Sequence, residues 1–465
     1  MTDATARLDD VLASIARNEE RDRDDLFRIL RQPSISAQGI GVEECCALVE
    51  ALFQTSGFTT RVIPTPGAPV VYGERLPHPG GPTLLIYGHY DVQPSDPDDA
   101  WVSPAFEPTI RDGRIYCRGV GDNKGQFIAN VLGARHWLET AGELPINVKV
   151  VVEGEEESGS PNFPAFVEAH RDLLAADLVY VSDGQVFETD QPVVKFGNRG
   201  MLYLELVARG PSRDLHSGNF GGVAPNPAWK LVHLLATMFS PDGEILVPGI
   251  LDKVRPVTPR LRAALDAIPL DEAALLAGIG LTEKASPKEL PYFDRLMTRP
   301  TMNIAGFTSG YGRAGSKTVL PSEARVKMDL RLVPDQDPRE IYQLLKDHIA
   351  KHAPDVEVFD HGMMDPIAVD LDSPLAEPVR RAVTIGFGKA PADVPLVGGS
   401  LPSAVWPEYL GVPALVVPYG NDDQANHSPN ENMIVERFHN GIRTSAALLA
   451  ELAASDIGRG GKARP

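Results

Sequence analysis

The segment TLLIYGHYDVQP (83–94) runs as an apolar stretch into a glycine and then delivers His89 and Asp91, an imidazole and a carboxylate two residues apart. Four further segments carry the same kinds of group: GVGDNKG with Asp122, EGEEESGS with Glu156 and Glu157 after Glu155, VSDG with Asp183, and ANHS with His427. Carboxylates converging in one cleft repel and raise one another's pKa unless cations neutralise them. Metal is therefore the economical reading. Imidazole mixed with carboxylate suits zinc, manganese or cobalt better than calcium or magnesium. One histidine and one carboxylate on each ion, with a further carboxylate shared, is how a pair of ions about 3.5–4 Å apart is held. The expected cofactor is two divalent metal ions per subunit, zinc first, with manganese or cobalt as alternatives.

Taken singly, each residue has a plainer reading. Three glutamates opening a helical turn can simply complement the helix dipole, and a lone histidine usually sits in a loop facing water. His78, His136, His170, His233, His348, His352, His361 and His439 are left with that reading. GVGDNKG lacks the spacing of a dinucleotide loop, and GRAGSKT (312–318) lacks the adjacent Gly-Lys of a phosphate loop. A nucleotide-dependent enzyme and a noncatalytic binding protein stand as rivals from other classes. Joint placement is what favours the metal reading.

That placement comes from the elements around the motifs. The runs TLLIYGHYD (83–91), NVKVVVEGEEE (147–157), DLVYVSDG (177–184) and PALVVPYGNDDQANH (413–427) are continuously apolar before they end in acids or histidine. Such runs suit parallel strands covered on both faces. Between the first two, KGQFIANVLGARHWLET (124–140) sets Phe127, Ile128, Val131, Leu132, Trp137 and Leu138 in a helical stripe, giving a βαβ alternation. Open α/β sheets carry their sites beyond the carboxyl ends of the strands. All seven groups thus fall on one predicted rim.

From about residue 209 the pattern changes to alternating strands with two helices (NPAWKLVHLLATMF and PREIYQLLKDHIAKH), as in a small two-layer α+β sandwich. Residues 241–300 read as an elaboration of that insert. From about 373 the apolar runs and glycines return. The expected fold is α/β: residues 1–208 and 373–465 form a catalytic domain with a largely parallel sheet flanked by helices, and 209–372 form the inserted sandwich. Its 465 residues exceed what one hydrophobic core usually supports.

Composition excludes some partners. With Lys+Arg 44 against Asp+Glu 63, the net charge of −19 disfavours extended contact with nucleic acid or an anionic membrane. The N-terminal 30 residues read as an amphipathic helix without the apolar core of a secretory signal. Three cysteines, Cys45, Cys46 and Cys117, fit neither a disulfide framework nor a CxxC zinc site. A cytoplasmic location is expected.

YGHYDVQP, GVGDNKG, EGEEESGSP, VSDG, RDLHSGNFGG and NHSPNE resemble, in kind and order, the motifs of the dinuclear metallopeptidase family. That family includes aminoacylase, glutamate carboxypeptidase, acetylornithine deacetylase and succinyl-diaminopimelate desuccinylase. The resemblance runs from about residue 26 to 448 and is closest to its cytosolic nonspecific dipeptidase and carnosinase branch. It implies that Asp122 bridges the two ions, that His89 and Asp183 complete one site, and that Glu157 and His427 complete the other. Asp91 would orient the His89 imidazole, Glu156 would be the general base, and a cis peptide would follow Asp122. His216 in RDLHSGNFGG would cross from a partner subunit to the oxyanion. The inserted domain would then serve as a lid and dimerisation unit in a homodimer. Arg331, with Thr318 and Ser400, would hold the free carboxylate of a small peptide substrate.

The implied chemistry is hydrolysis of a peptide bond in dipeptides or small peptides with a free C-terminal carboxylate. Two cations acidify a bridging water, Glu156 takes its proton, and the same residue protonates the leaving amine. Deacylation of an N-acyl amino acid by the same machinery is the in-class alternative. Glu155 is the residue placed to upset the assignment of base and ligand within EEE.

Overall fold

A computed structural model describes residues 3–187, 190–285, 287, 289–399 and 404–457. Among these, the principal sheet has eight strands in the order Thr59–Ile63, Val70–Arg75, Asn147–Glu153, Thr83–His89, Leu178–Val181, Ala414–Val416, Val193–Lys195 and Ala392–Val394. The four strands at its centre, from Asn147–Glu153 to Ala414–Val416, are all parallel to one another. They are the four runs whose continuous apolarity marks strands covered on both sides. Leu84, Ile86, Val148, Val150 and Val152 pack into the main core, while Leu85, Tyr87, Val151 and Val179 point into a second cluster with Phe163, Phe166 and Trp406. Alternate side chains serve opposite faces, so both must be apolar.

Helices Lys124–Ala141 and Val435–Ala454 pack together on the main-core face. Gly88 permits this close approach: a Cβ there would stand 2.5 Å from Phe127 Cβ. The charged N-terminus folds as two helices, Asp3–Arg17 and Glu19–Leu30, broken at Asn18, where one was expected. His136, His348 and His439 are buried, contrary to their surface reading. The His136 ring bonds Ser14 Oγ at 3.0 Å and Asp22 Oδ2 at 2.9 Å, tying the first two helices to Lys124–Ala141.

A second sheet of four antiparallel strands runs Thr301–Ser309, Glu323–Leu332, Gly200–Arg209 and Glu357–Met364. Burial alternates along Glu323–Leu332, and helices Pro227–Met238 and Pro338–His352 cover one face, as an α+β sandwich requires. Strand Gly200–Arg209 belongs wholly to this sheet, so the change of sheet precedes residue 209. The chain leaves and re-enters the principal sheet side by side, where Gly197–Asn198 pairs with Ile367–Ala368. Part of the 241–300 stretch differs from expectation. Leu265, Ile268, Phe293 and Met297 pack against Val193, Ala392, Val394 and Leu396 at the edge of the principal sheet, because that edge is otherwise left apolar and uncovered.

Candidate metal centre

Four adjacent parallel strands deliver the site. Thr83–His89 ends on His89 with Asp91 just beyond; Asn147–Glu153 leads into the turn Glu156–Ser158; Leu178–Val181 ends two residues before Asp183; the segment after Ala414–Val416 carries His427. Asp122 stands before helix Lys124–Ala141, followed by a cis peptide to Asn123. Asn123 ties this corner to the strands, accepting the His89 backbone N–H at 3.3 Å and donating to the Ser182 carbonyl at 2.6 Å.

The side chains form two adjoining clusters. His89 Nε2 lies 3.1 Å from Asp122 Oδ1 and 3.7 Å from Asp183 Oδ2. His427 Nε2 lies 3.1 Å from Asp122 Oδ2 and 3.2 Å from Glu157 Oε2. Asp122 therefore turns one oxygen to each group. Within each cluster the candidate ligand atoms lie within 4.8 Å of one another. Ligands 2.0–2.1 Å from a tetrahedral ion stand about 3.3 Å apart, so these spacings and donor types fit a divalent cation in each cluster.

Asp91 is fully buried and braces both clusters. His89 Nδ1 is 3.2 Å from the Asp91 carbonyl oxygen and 3.4 Å from its Oδ1. With an ion bound, an Nδ1 proton on that side would leave the Nε2 lone pair to the metal. The Asp91 carboxylate also accepts the backbone N–H groups of Glu156 (3.2 Å) and Glu157 (3.0 Å), which fixes the turn that separates those two side chains. Glu157 is held toward His427 by a hydrogen bond from Gln93 Nε2 at 2.9 Å. The Glu156 carboxylate belongs to neither cluster. Glu155 is occupied elsewhere, accepting both hydrogen bonds of Asn162 Nδ2 at 2.9 and 3.1 Å.

The electrostatics are those of crowded carboxylates. Burial pushes Glu156 up to about 8; His89 opposes the shift while Asp183, Asp122 and Glu157 add to it. Burial and then Asp122 raise Asp183 to about 6. Burial works against ionised Asp122, but hydrogen bonds from His427 and His89 outweigh it and hold the carboxyl below its usual range. His427 is pushed up to about 10 by its hydrogen bonds to Asp122 and Glu157.

A buried ion pair behind the site is absent from the sequence reading. Glu431 Oε1 accepts the N–H of Gly121 (2.8 Å) and Asp122 (3.1 Å); its Oε2 accepts the N–H of Gly119 (2.9 Å) and Arg118 Nη1 (2.8 Å). Arg118 Nη2 reaches the carbonyls of Pro94 (3.1 Å) and Ser428 (3.3 Å). One pair thus joins the segments that follow His89, precede Asp122 and follow His427. Glu431 lies in NHSPNE, four residues after the histidine, and that spacing was the available signal.

The remaining expected residues lie in or near the second sheet. His216 is exposed, and its Nδ1 accepts the Gly218 N–H at 3.0 Å. It pairs with Val319, and the Thr318 carbonyl accepts the Ser217 N–H at 3.2 Å. Neither His216 nor Thr318 hydrogen-bonds to the clusters in this single chain. Arg331 Nε lies 3.5 Å from Asp329 Oδ2. Its charge, after burial, lowers neighbouring Arg199 to about 10; Arg199 Nε donates to the Gly398 carbonyl at 2.8 Å. Ser400 lies outside the described residues.

A parallel sheet with two adjoining His/carboxylate clusters on its rim, joined to an α+β sandwich, is the architecture of a hydrolytic metallopeptidase. The chain belongs to peptidase family M20/M25/M40, whose family model matches residues 85–451. It is 31% identical over 407 residues to the Cys-Gly metallodipeptidase dug1 of Schizosaccharomyces pombe, covering 84% of each chain. It is 29% identical over 444 residues to the Beta-Ala-His dipeptidase of Homo sapiens, covering 93% of this chain and 86% of that one. The crystal structure of an M20 family metallo-carboxypeptidase, Sso-CP2 from Sulfolobus solfataricus, matches with a TM-score of 0.82 and 34% identity over 93% of this chain and 99% of that one. The dipeptidase and carnosinase branch indicated by EEESGS and RDLHSGNFGG is the one into which these sequence relatives fall. Peptidases of this family use divalent metals. Among the described residues, no helix is long and apolar enough to cross a membrane.

Proposed function

We infer that this metallopeptidase hydrolyses dipeptides with a free C-terminal carboxylate. The observation that carries the reading is Asp122 shared between two His/carboxylate clusters while Glu156 stands beside both and belongs to neither. The names of the relatives, two of them dipeptidases, favour peptide-bond hydrolysis over deacylation. His89, Asp122 and Asp183 would hold one divalent ion, and Asp122, Glu157 and His427 the other. Zinc is preferred, with manganese or cobalt accepting the same donors.

When bound, such ions supply an acidified water and a polarised amide carbonyl. The remaining work falls to the chain. Glu156 takes the proton from the attacking water and returns it to the leaving nitrogen, from a position that no ligand role uses. Asp91 holds the His89 ring and the Glu156–Glu157 turn. Arg331, with Thr318 and Ser400, receives the substrate carboxylate. His216 donates to the oxyanion across a homodimer.

Two features support the dimer: exposed Ile304 and Phe307 on the edge strand Thr301–Ser309, and exposed Trp229 on helix Pro227–Met238. The division into residues 1–208 with 373–465 and an inserted 209–372 is carried forward with its first boundary moved back to about residue 200, because strand Gly200–Arg209 pairs within the second sheet. Cys45, Cys46 and Cys117 are buried free thiols, which supports a cytoplasmic location.

The test is a metal-reconstituted assay against dipeptides, N-acyl amino acids and longer peptides, repeated after chelation. Turnover of dipeptides that vanishes with chelator and returns with zinc or manganese is the expected result. Preferential cleavage of N-acyl amino acids overturns the substrate assignment, and chelator-insensitive turnover overturns the metal assignment.

A further inference from the structure

Lys195 closes the short strand Val193–Lys195, between Ala414–Val416 and Ala392–Val394 in the principal sheet. Its ammonium stands 3.1 Å from the position a Cβ would take on Gly184, the residue that follows Asp183. A side chain at Gly184 would crowd the ammonium, and its φ of +77° is one that glycine tolerates best. Among the described residues Lys195 Nζ makes no hydrogen bond and no ion pair; the one charge that acts on it is Asp183. An ammonium drawn partly out of water into a structural role normally gains hydrogen-bond partners, because desolvating it without them is costly. Here, among the described residues, three donors stand at the rim of the cleft without an acceptor.

An ammonium with no acceptor among the described residues selects for an anion that a bound molecule brings. The scissile carbonyl belongs to the N-terminal residue of a dipeptide, whose side chain branches from the carbon next to the reacting one and so would fall within reach of groups that flank the metal ligands. In the reading above, the C-terminal carboxylate would go to Arg331, on the other sheet. We propose that Lys195 determines specificity in this site by receiving a carboxylate on the side chain of the N-terminal residue, so that dipeptides beginning with Glu or Asp are preferred over their neutral isosteres. This rests on the dipeptide reading above.

The test compares Glu-Gly with Gln-Gly, which differ in charge and hardly in shape, on the metal-loaded parent, Lys195→Met and Lys195→Arg. The parent is expected to show kcat/KM about tenfold or more in favour of Glu-Gly. Lys195→Met removes that preference by lowering kcat/KM for Glu-Gly far more than for Gln-Gly, with parental melting temperature and metal content showing that it folds, and Lys195→Arg restores the preference. Calorimetric titration of the same two dipeptides into metal-loaded Glu156→Ala, with and without Lys195→Met, reads binding without turnover. An equal ratio for the two peptides in parent and Lys195→Met, or a change confined to metal content, overturns the proposal. If the parent cleaves neither dipeptide yet binds Glu-Gly tighter than Gln-Gly only when Lys195 is present, the dipeptidase reading falls and the Lys195 assignment stands.

Discussion

The rim of the principal sheet and the outer parts of the second sheet are built by opposite rules. On the rim, His89, Asp91, Asp122 and Glu157 are locked by partners drawn from several segments of the same chain, and Glu431 with Arg118 fastens three of those segments from behind. In the second sheet, His216 is exposed and its ring is satisfied by its own turn, and Thr318 is exposed beside it. The first region is pre-organised within one chain. The second has side chains suited to a substrate or an oxyanion but held by local contacts only. The difference separates groups fixed by partners from across the fold from groups fixed only by their own turn.

The comparison can be broken at its strongest point by Asp122→Ala. Removing the carboxylate that faces both clusters is expected to cost both metals and all turnover, read by elemental analysis and assay; retention of one full equivalent of metal would contradict the shared role. Glu156→Ala should sharpen the same point from the other side. We expect kcat to fall by roughly 10²–10⁴-fold with metal stoichiometry unchanged, and parental turnover would remove Glu156 from the mechanism.

Behind the rim, Glu431→Ala leaves the Arg118 guanidinium buried without its carboxylate. Stability to denaturant should drop by about 3–5 kcal/mol, with weaker metal binding; a variant as stable as the parent would mean that the pair does not fasten the site. In the second region, His216→Ala is expected to slow turnover by about 10²–10³-fold, as for loss of one oxyanion donor, while metal content and melting temperature stay at parental values. Loss of metal on that change would erase the distinction between the two regions.

The smallest effect is on pH dependence. Glu156 and Asp183 have folded pKa values above their unfolded ones, so the folded state holds protons that the unfolded chain has released. Raised His89 and His427 act in the same direction, their stabilisation present below the unfolded value and lost as pH rises. Chelated protein should therefore lose thermal stability as pH rises from about 5 to 8, by at most about 1.4 kcal/mol per retained proton per pH unit. Saturating zinc or manganese should flatten that slope, because the carboxylates are then held ionised by the cations. A slope unchanged by metal would show that the cluster is not their binding site.

Much of the rim was legible without coordinates because a parallel strand covered on both faces leaves a continuous apolar signature. Where such a run stops in His89, Glu156–Glu157, Asp183 or His427, the position of the polar group follows from chain direction alone. Charge type and HxD spacing then narrowed the chemistry to divalent cations. Glu431 and Arg118 were not legible, since a buried carboxylate and guanidinium are indistinguishable in sequence from a surface pair until their hydrogen bonds to Gly119, Gly121, Asp122, Pro94 and Ser428 are known. The same holds for His136, whose burial depends on helices that contribute Ser14 and Asp22 from more than a hundred residues away.

By itself, then, the sequence determined the parallel strands that end in acids or histidine, the helix between the first two of them, the acidic and imidazole character of the strand ends, and the family to which those motifs point, because these depend on local periodicity and residue type. Only the tertiary structure decided which oxygen of Asp122 meets which histidine, that Glu155 is occupied by Asn162 while Glu156 remains beside both clusters, and that Lys195 lies against Gly184. Those outcomes depend on distances between segments remote in the chain, and no local pattern of residues encodes such a distance.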